Sequence, residues 1–132
     1  MKLGIVGSRN FHNYEDFKKC IIKIVREWSG EMSNEEKSSN GEISNKIEVI
    51  VSGGAVGTDT MAERFAQEMG IQTQIFKPDW SQGRHAALLR NTDIVNHSTH
   101  VIAFPARTGR GTQDSIRKSQ KRGVPLKVLY ID

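Results

Sequence analysis

At 132 residues with a formal net charge of +4, the chain has room for one domain with a real core and little room for two; its charge favours anionic partners, from small phosphates to nucleic acid. Its single cysteine, Cys20, excludes an intrachain disulfide and a thiol-held zinc ion, fits a reducing compartment, and reads as a buried helix residue. No apolar run approaches the ~20 residues that span a bilayer, and the amino terminus lacks signal-peptide organisation, so a soluble, cytoplasmic protein with no membrane partner is expected.

"KLGIVGS", residues 2–8, is a short apolar strand that opens into a loop. Phe17, Cys20, Ile21, Ile24, Val25 and Trp28 then recur at spacings of three and four, which predicts an amphipathic helix over 13–28. The polar stretch 29–46 is nearly free of large apolar side chains and cannot offset its ordering entropy, so it is expected to be a mobile surface insertion. A strand follows at 47–52, then the glycine-rich "SGGAVGTD" and a helix carrying Met61, Ala62, Phe65, Ala66 and Met69, stopped by Gly70. "IQTQIF" (71–76) is a strand, 83–96 a helix, "HVIAFP" (100–105) a strand, 112–122 a helix and "LKVLYI" (126–131) a last strand.

Nearly continuous apolar strands alternating with helices predict an α/β fold. The expected form is a single Rossmann-like, doubly wound domain with a mainly parallel five-stranded sheet and helices on both faces. Right-handed crossovers then bring every strand-to-helix loop to the carboxyl edge of the sheet, where such folds bind ligands. Four loops meet there: "GSRNF" (7–11), "SGGAVGTD" (52–59), "PDWSQGR" (78–84) and "PARTGRGTQD" (105–114).

Glycines let backbone N–H groups approach an anion, and a helix starting beside them adds the positive end of its dipole. In the second loop Ser52, Gly53, Gly54 and Gly57 shape the chain; Thr58 or Asp59 can cap the helix, or Asp59 can accept from a ribose hydroxyl. In the fourth, Gly109 and Gly111 flank Arg110, with the Thr112 hydroxyl at the helix start. Gly7, Ser8, Arg9, Arg84, Arg90 and Asn91 complete the candidate ligand-binding set, and Trp80 either stacks on a base or covers the core edge. From Arg107 to Lys127 seven Lys or Arg face one acid, Asp114, which is either a solvated helix face or a surface for anions. There is no Gly-Lys-Ser/Thr phosphate loop and no G-x-G-x-x-G. The four histidines lack metal-ligand spacing, Ser8 has no evident histidine partner, and no cofactor is expected.

Taken in order, "GSRNF", "SGGAVGTDTMAERFA", "FKPDW", Arg90-Asn91 and "VIAFPARTGRGTQDSI" resemble the SLOG superfamily of Rossmann-like proteins, and most closely a short branch of it found in bacteria and phages. The resemblance covers nearly the whole chain outside 29–46. It implies a nucleotide-like ligand, because the superfamily includes the Lonely Guy phosphoribohydrolases, the single-stranded-DNA-binding DNA-processing protein A family, and sensors of nucleotide-derived signals. In the hydrolase branch the phosphate-binding arginine matches Arg90, and Gly111-Thr112 match the "PGGxGTxxE" loop. Its catalytic glutamate falls on Ser115, with Asp114 one residue earlier, about 100° away around a helix.

Three readings are therefore in play. The first is a protein that binds a nucleotide or a nucleotide-derived signal. The second is a nucleoside monophosphate phosphoribohydrolase using Arg90 and Asp114 as catalytic residues. Nucleic-acid binding through the basic carboxyl-terminal segment ranks last, since aromatic side chains are not clustered for strand stacking. A homodimer is implied by analogy with the hydrolase branch.

Overall fold

The structure, a computed structural model, describes residues 1–30, 40–107 and 110–131; for Asn40 and Gly41 it describes the backbone alone. The chain builds β1 (Lys2–Gly7), α1 (Tyr14–Trp28), α2 (Asn40–Lys46), β2 (Val49–Ser52), α3 (Thr58–Met69) and β3 (Gln72–Ile75). It continues through a 3₁₀ turn (Trp80–His85), α4 (Ala86–Asn96), β4 (His100–Phe104), α5 (Gly111–Arg122) and β5 (Leu126–Val128). The five strands are all parallel, in the order β3-β2-β1-β4-β5.

Strand alternation sorts the apolar side chains onto two faces. Leu3, Ile5, Ile50, Ile102 and Phe104 meet α1, α2 and α3 in the larger core. Val6, Val51, Val101 and Ala103 meet Ile94 of α4 and Ile116 of α5 in the smaller one. The sheet is thus covered on both sides, as the sequence predicts. The aromatic centre of the larger core is Phe17, fully buried, with Phe65 and Phe104 at centroid distances of 6.3 and 5.3 Å. Phe11, in the loop after β1, packs at 5.2 Å on Phe104 and so ties that loop to the core.

Helix ends follow local chemistry. Asn13 caps α1 by accepting from the Asp16 N–H at 3.2 Å, and Glu15 and Asp16 suit the positive end of the helix dipole. Gly70 ends α3 in the left-handed conformation at φ 70°, and the Ile71 N–H returns to the Ala66 carbonyl at 2.8 Å.

Several expectations need correction. The polar stretch 29–46 contains α2, and Ile43 on it is fully buried in the larger core; one apolar residue anchors the segment that its composition marked as solvated. Residues 31–39 of that stretch lie outside the described residues. Cys20 is half-buried at the core margin because it sits beside the apolar stripe of α1. The helix expected over 83–96 begins as α4 only at Ala86, since Gly83 at φ 83° and ψ −155° breaks the helical path. Neither Thr58 nor Asp59 caps α3; Gly57 holds that position at φ 77° with no side-chain bond. Regular β5 is shorter than 126–131, although the Leu129 and Ile131 N–H groups still bond to the Ala103 and Pro105 carbonyls. Among the described residues no helix is long and apolar enough to cross a membrane.

Candidate functional site

The strand order reverses at β1, which has β2 on one side and β4 on the other. Chains leaving β1, β2 and β4 therefore diverge to opposite faces and leave a crevice at their carboxyl ends. A cleft of about 340 Å³ occupies this place.

Its first wall is the loop after β1. Ser8 is clamped there: its N–H donates to the Phe104 carbonyl at 2.9 Å, and its own carbonyl accepts from the Thr58 N–H at 3.2 Å and the Thr58 hydroxyl at 2.9 Å. Gly57 lies against the backbone of Arg9, where an added Cβ would stand 2.7 Å from the Arg9 Cα, so only glycine fits. Gly7, Ser8, Arg9 and Asn10 line the cleft from this loop.

The second wall is one face of α4. Ala87, Arg90, Asn91 and Ile94 line the cleft at helical spacings of three and four. Arg90 is half-buried; its Nη1 donates to the Gly53 carbonyl at 2.8 Å and its Nε to Asn91 Oδ1 at 3.1 Å. Asn91 is buried and uses both amide hydrogens, since its Nδ2 donates to the Gly111 carbonyl at 3.3 Å and to Asp114 Oδ2 at 3.2 Å. One amide thus joins the arginine to the first turn of α5. Lys118 at 2.7 Å and Arg117 at 3.5 Å hold the rest of the Asp114 carboxylate.

The amino-terminal turn of α5 closes the cleft with Gly111, Thr112 and Ser115. Asp59, 7 % exposed, is the lining carboxylate; its Oδ2 accepts from the Ala55 N–H at 3.1 Å. Burial pushes the Asp59 carboxyl above the usual carboxylate range, against the opposing pull of the Ala55 N–H, the Ser52 hydroxyl and Arg90. Burial also lowers the Arg90 guanidinium; Asp59 offsets part of that and the like charge of Arg9 adds to it. Among the described residues no carboxylate lies within ion-pair distance of Arg9 or Arg90. The cleft therefore presents two cations, a helix start and a buried acceptor, a combination suited to an anion that also carries hydroxyl groups.

Of the residues singled out in the sequence, Gly7, Ser8, Arg9 and Asp59 face the cleft, as do Arg90, Asn91, Gly111 and Thr112. Gly53 and Thr58 stand behind it as supports; so does Ser52, whose hydroxyl donates to the Ile5 carbonyl at 3.1 Å. Gly54 lies instead against Ile75 and Lys77. Trp80, 63 % exposed, Arg84 and Arg110 are on the surface and do not line the cleft; Gly109 is outside the described residues. Asp114 is directed to Asn91, Lys118 and Arg117 and does not line the cleft, whereas Ser115 does. Ala87 and Ile94 were not singled out, although a helical period drawn through Arg90 and Asn91 names both.

The profile of the family described as "YAcAr: YspA, cpYpsA-related SLOG family" matches residues 42–83. The chain is 35% identical over 85 residues to the "Gene 61 protein" of Mycobacterium phage D29, an alignment spanning 59% of this chain and 68% of that protein. Its fold is similar to DNA processing protein A from Streptococcus pneumoniae, with a TM-score of 0.68 and 19% identity over 96% of this chain. It is also similar to DNA processing protein A from Helicobacter pylori, in a structure titled for its single-stranded DNA binding mode, at TM-score 0.65 and 23% identity over 97% of this chain. The structural-genomics target TM1055 matches at TM-score 0.60 and 16% identity, over 96% of this chain and 72% of that one. The chain spans about half of the pneumococcal protein, 49%, and 64% of the Helicobacter one.

Proposed function

Because the chain belongs to the SLOG superfamily, we propose that its cleft binds a nucleotide or a nucleotide-derived phosphate ligand. The observation that carries this reading is Arg90. A half-buried guanidinium is fixed by the Gly53 carbonyl and Asn91, faces the like charge of Arg9, and stands beside the first turn of α5 with no carboxylate of the described residues in ion-pair reach. A phosphate between Arg90, Arg9 and Thr112 would relieve that repulsion and receive charge-assisted hydrogen bonds. Leu88, exposed and lining the cleft, offers an apolar surface for a base.

Cleavage is the less supported reading. The carboxylate that the resemblance to the hydrolase branch would use, Asp114, is committed to Asn91, Lys118 and Arg117 while a serine, Ser115, faces the cleft, which leaves Asp59 as the lining carboxylate that hydrolysis would have to use. Nucleic-acid binding has an observation in its favour: Arg117, with a side chain 74% exposed, and the exposed Lys121 lie one turn apart on α5. The Helicobacter neighbour binds single-stranded DNA. Such binding would weaken steeply with salt, whereas a single phosphate in the cleft gives a shallow dependence. A homodimer through the exposed Leu88 and Leu89 of α4, and a cytoplasmic setting, belong to the same proposal.

The test incubates the protein with a mixed panel of nucleotides and analyses the bound and free fractions by mass spectrometry. A nucleotide retained and returned intact supports binding. Free base and ribose phosphate would replace this reading with hydrolysis, and no retention together with no thermal shift would remove both.

A further inference from the structure

Asp59 is the cleft feature that a phosphate seat does not use. It belongs to the first turn of α3, is more than nine-tenths buried, and lines the same cleft as Arg9 and Arg90. A carboxylate has about four acceptor positions. The Ala55 N–H fills one at 3.1 Å and the Ser52 hydroxyl approaches another, although that hydroxyl also serves the Ile5 carbonyl at 3.1 Å. Among the described residues no Lys or Arg lies within ion-pair distance, and the next carboxylate on the helix, Glu63, adds repulsion. Acceptor capacity is therefore left over on a buried anion that faces a ligand-sized space. Asp59 and Arg90 both stand against Gly53, so an anion held by Arg9, Arg90 and Thr112 has this acceptor beside it, where the hydroxyls attached to that anion can reach.

We propose that Asp59 accepts hydrogen bonds from the sugar hydroxyls of the ligand, which makes the cleft selective for ribonucleotides over 2′-deoxyribonucleotides. This rests on the nucleotide reading above and adds the sugar class to it. The logic is that of a site built to bond a hydroxyl: the analogue lacking it leaves the buried carboxylate without that partner, and such omissions discriminate far more strongly than a lost apolar contact.

The experiment titrates the four ribonucleoside 5′-monophosphates and their 2′-deoxy counterparts into the wild-type protein and into Asp59→Asn by calorimetry, with thermal denaturation of both proteins. Asparagine keeps an oxygen for the Ala55 N–H, so the loop can retain its shape. The expected result is that the best ribonucleotide binds wild-type protein at least about 10-fold more tightly than its deoxy form, and that Asp59→Asn loses most of this preference while still binding. Equal affinity of ribo and deoxy forms for wild-type protein overturns the inference and leaves the nucleotide reading standing. A preference that survives in Asp59→Asn overturns the assignment to this residue. Binding of none of the eight compounds overturns both. Should Asp59→Asn fail to fold, the wild-type comparison still decides the sugar preference, and Asp59→Ser supplies a smaller, uncharged replacement.

Discussion

Gly53→Ala separates the site from the fold. Gly53 does not have positive φ, so alanine meets no backbone strain there. Its Cβ would, however, collide with the Arg90 Nη1 and stand 2.9 Å from the Arg90 Cζ and 3.0 Å from Asp59 Oδ2. Non-bonded atoms around a carbon rest about 3.5–4.0 Å away, so the guanidinium must retreat by roughly 1 Å or more. That takes its 2.8 Å bond to the Gly53 carbonyl out of range. A hydrogen bond to a charged group contributes about 1.5–3 kcal/mol, and water can replace much of it at the open cleft, so the folding cost should be well under that range. The ligand gets no such substitute, because Arg90 now has to be brought back into place on binding; affinity should fall roughly 10- to 100-fold, about 1.4–2.7 kcal/mol. Titration of the retained nucleotide, set beside thermal denaturation, reads both quantities. Gly57→Ala is the contrast: there the obstacle is the Arg9 backbone, which cannot swing away, and φ is 77°, so loss of stability should dominate. If Gly53→Ala binds the nucleotide as tightly as wild type, the placement of Arg90 by this carbonyl does not hold the ligand, and the argument fails.

Asp59→Asn should stabilise the unliganded protein at neutral pH relative to its effect in acid. Burial raises the folded carboxyl above its unfolded value, so the native state is penalised as pH climbs through the window between them; the gain should vanish below about pH 4, where both states are protonated. Melting curves across pH check this, and a constant difference would count against it. Asp114→Asn should leave nucleotide affinity within about 2-fold while lowering stability by about 0.5–1 kcal/mol through the lost Lys118 pair; abolished base release in that variant would instead restore the hydrolytic reading. Asn91→Ala removes three hydrogen bonds at once and should cost about 1–3 kcal/mol of stability together with ligand affinity. Phe17→Ala should cost about 3–5 kcal/mol in denaturant unfolding, as expected for a fully buried ring at the centre of an aromatic cluster.

Long-period patterns made the architecture legible. Phe17, Ile21, Ile24 and Val25 announce α1, and apolar runs between helices announce a parallel sheet; once that topology is drawn, loops distant in sequence share an edge. Ile43 was missed because one buried side chain in a seven-residue helix produces no periodicity. Gly83 was placed inside a helix because its residue type reveals nothing of ψ, and its backbone conformation depends on how the turn meets α4. In the cleft, residue types named Arg90, Asn91 and Asp59, but partnership did not follow from type. That Asn91 joins Arg90 to Gly111 and Asp114 is a tertiary fact spanning 23 residues, with no local signature. The one-residue offset between Asp114 and Ser115 was visible as a rotation about α5, and its outcome, serine toward the cleft and aspartate toward Asn91, needed the position of α4.

The central place of β1 also sets a schedule for folding. Leu3 pairs with Ile50 on one side and His100 on the other. At roughly 5–20 residues per second, ribosomal synthesis separates Leu3 from its β4 partner by about 5–20 s, much longer than local helices take to form. During that interval the apolar β1 has an open edge, and the cleft has no α5 to close it. The cleft is thus completed late in synthesis, and the nascent chain should be most dependent on chaperones, and most prone to mispairing, before residue 104 is free of the ribosome.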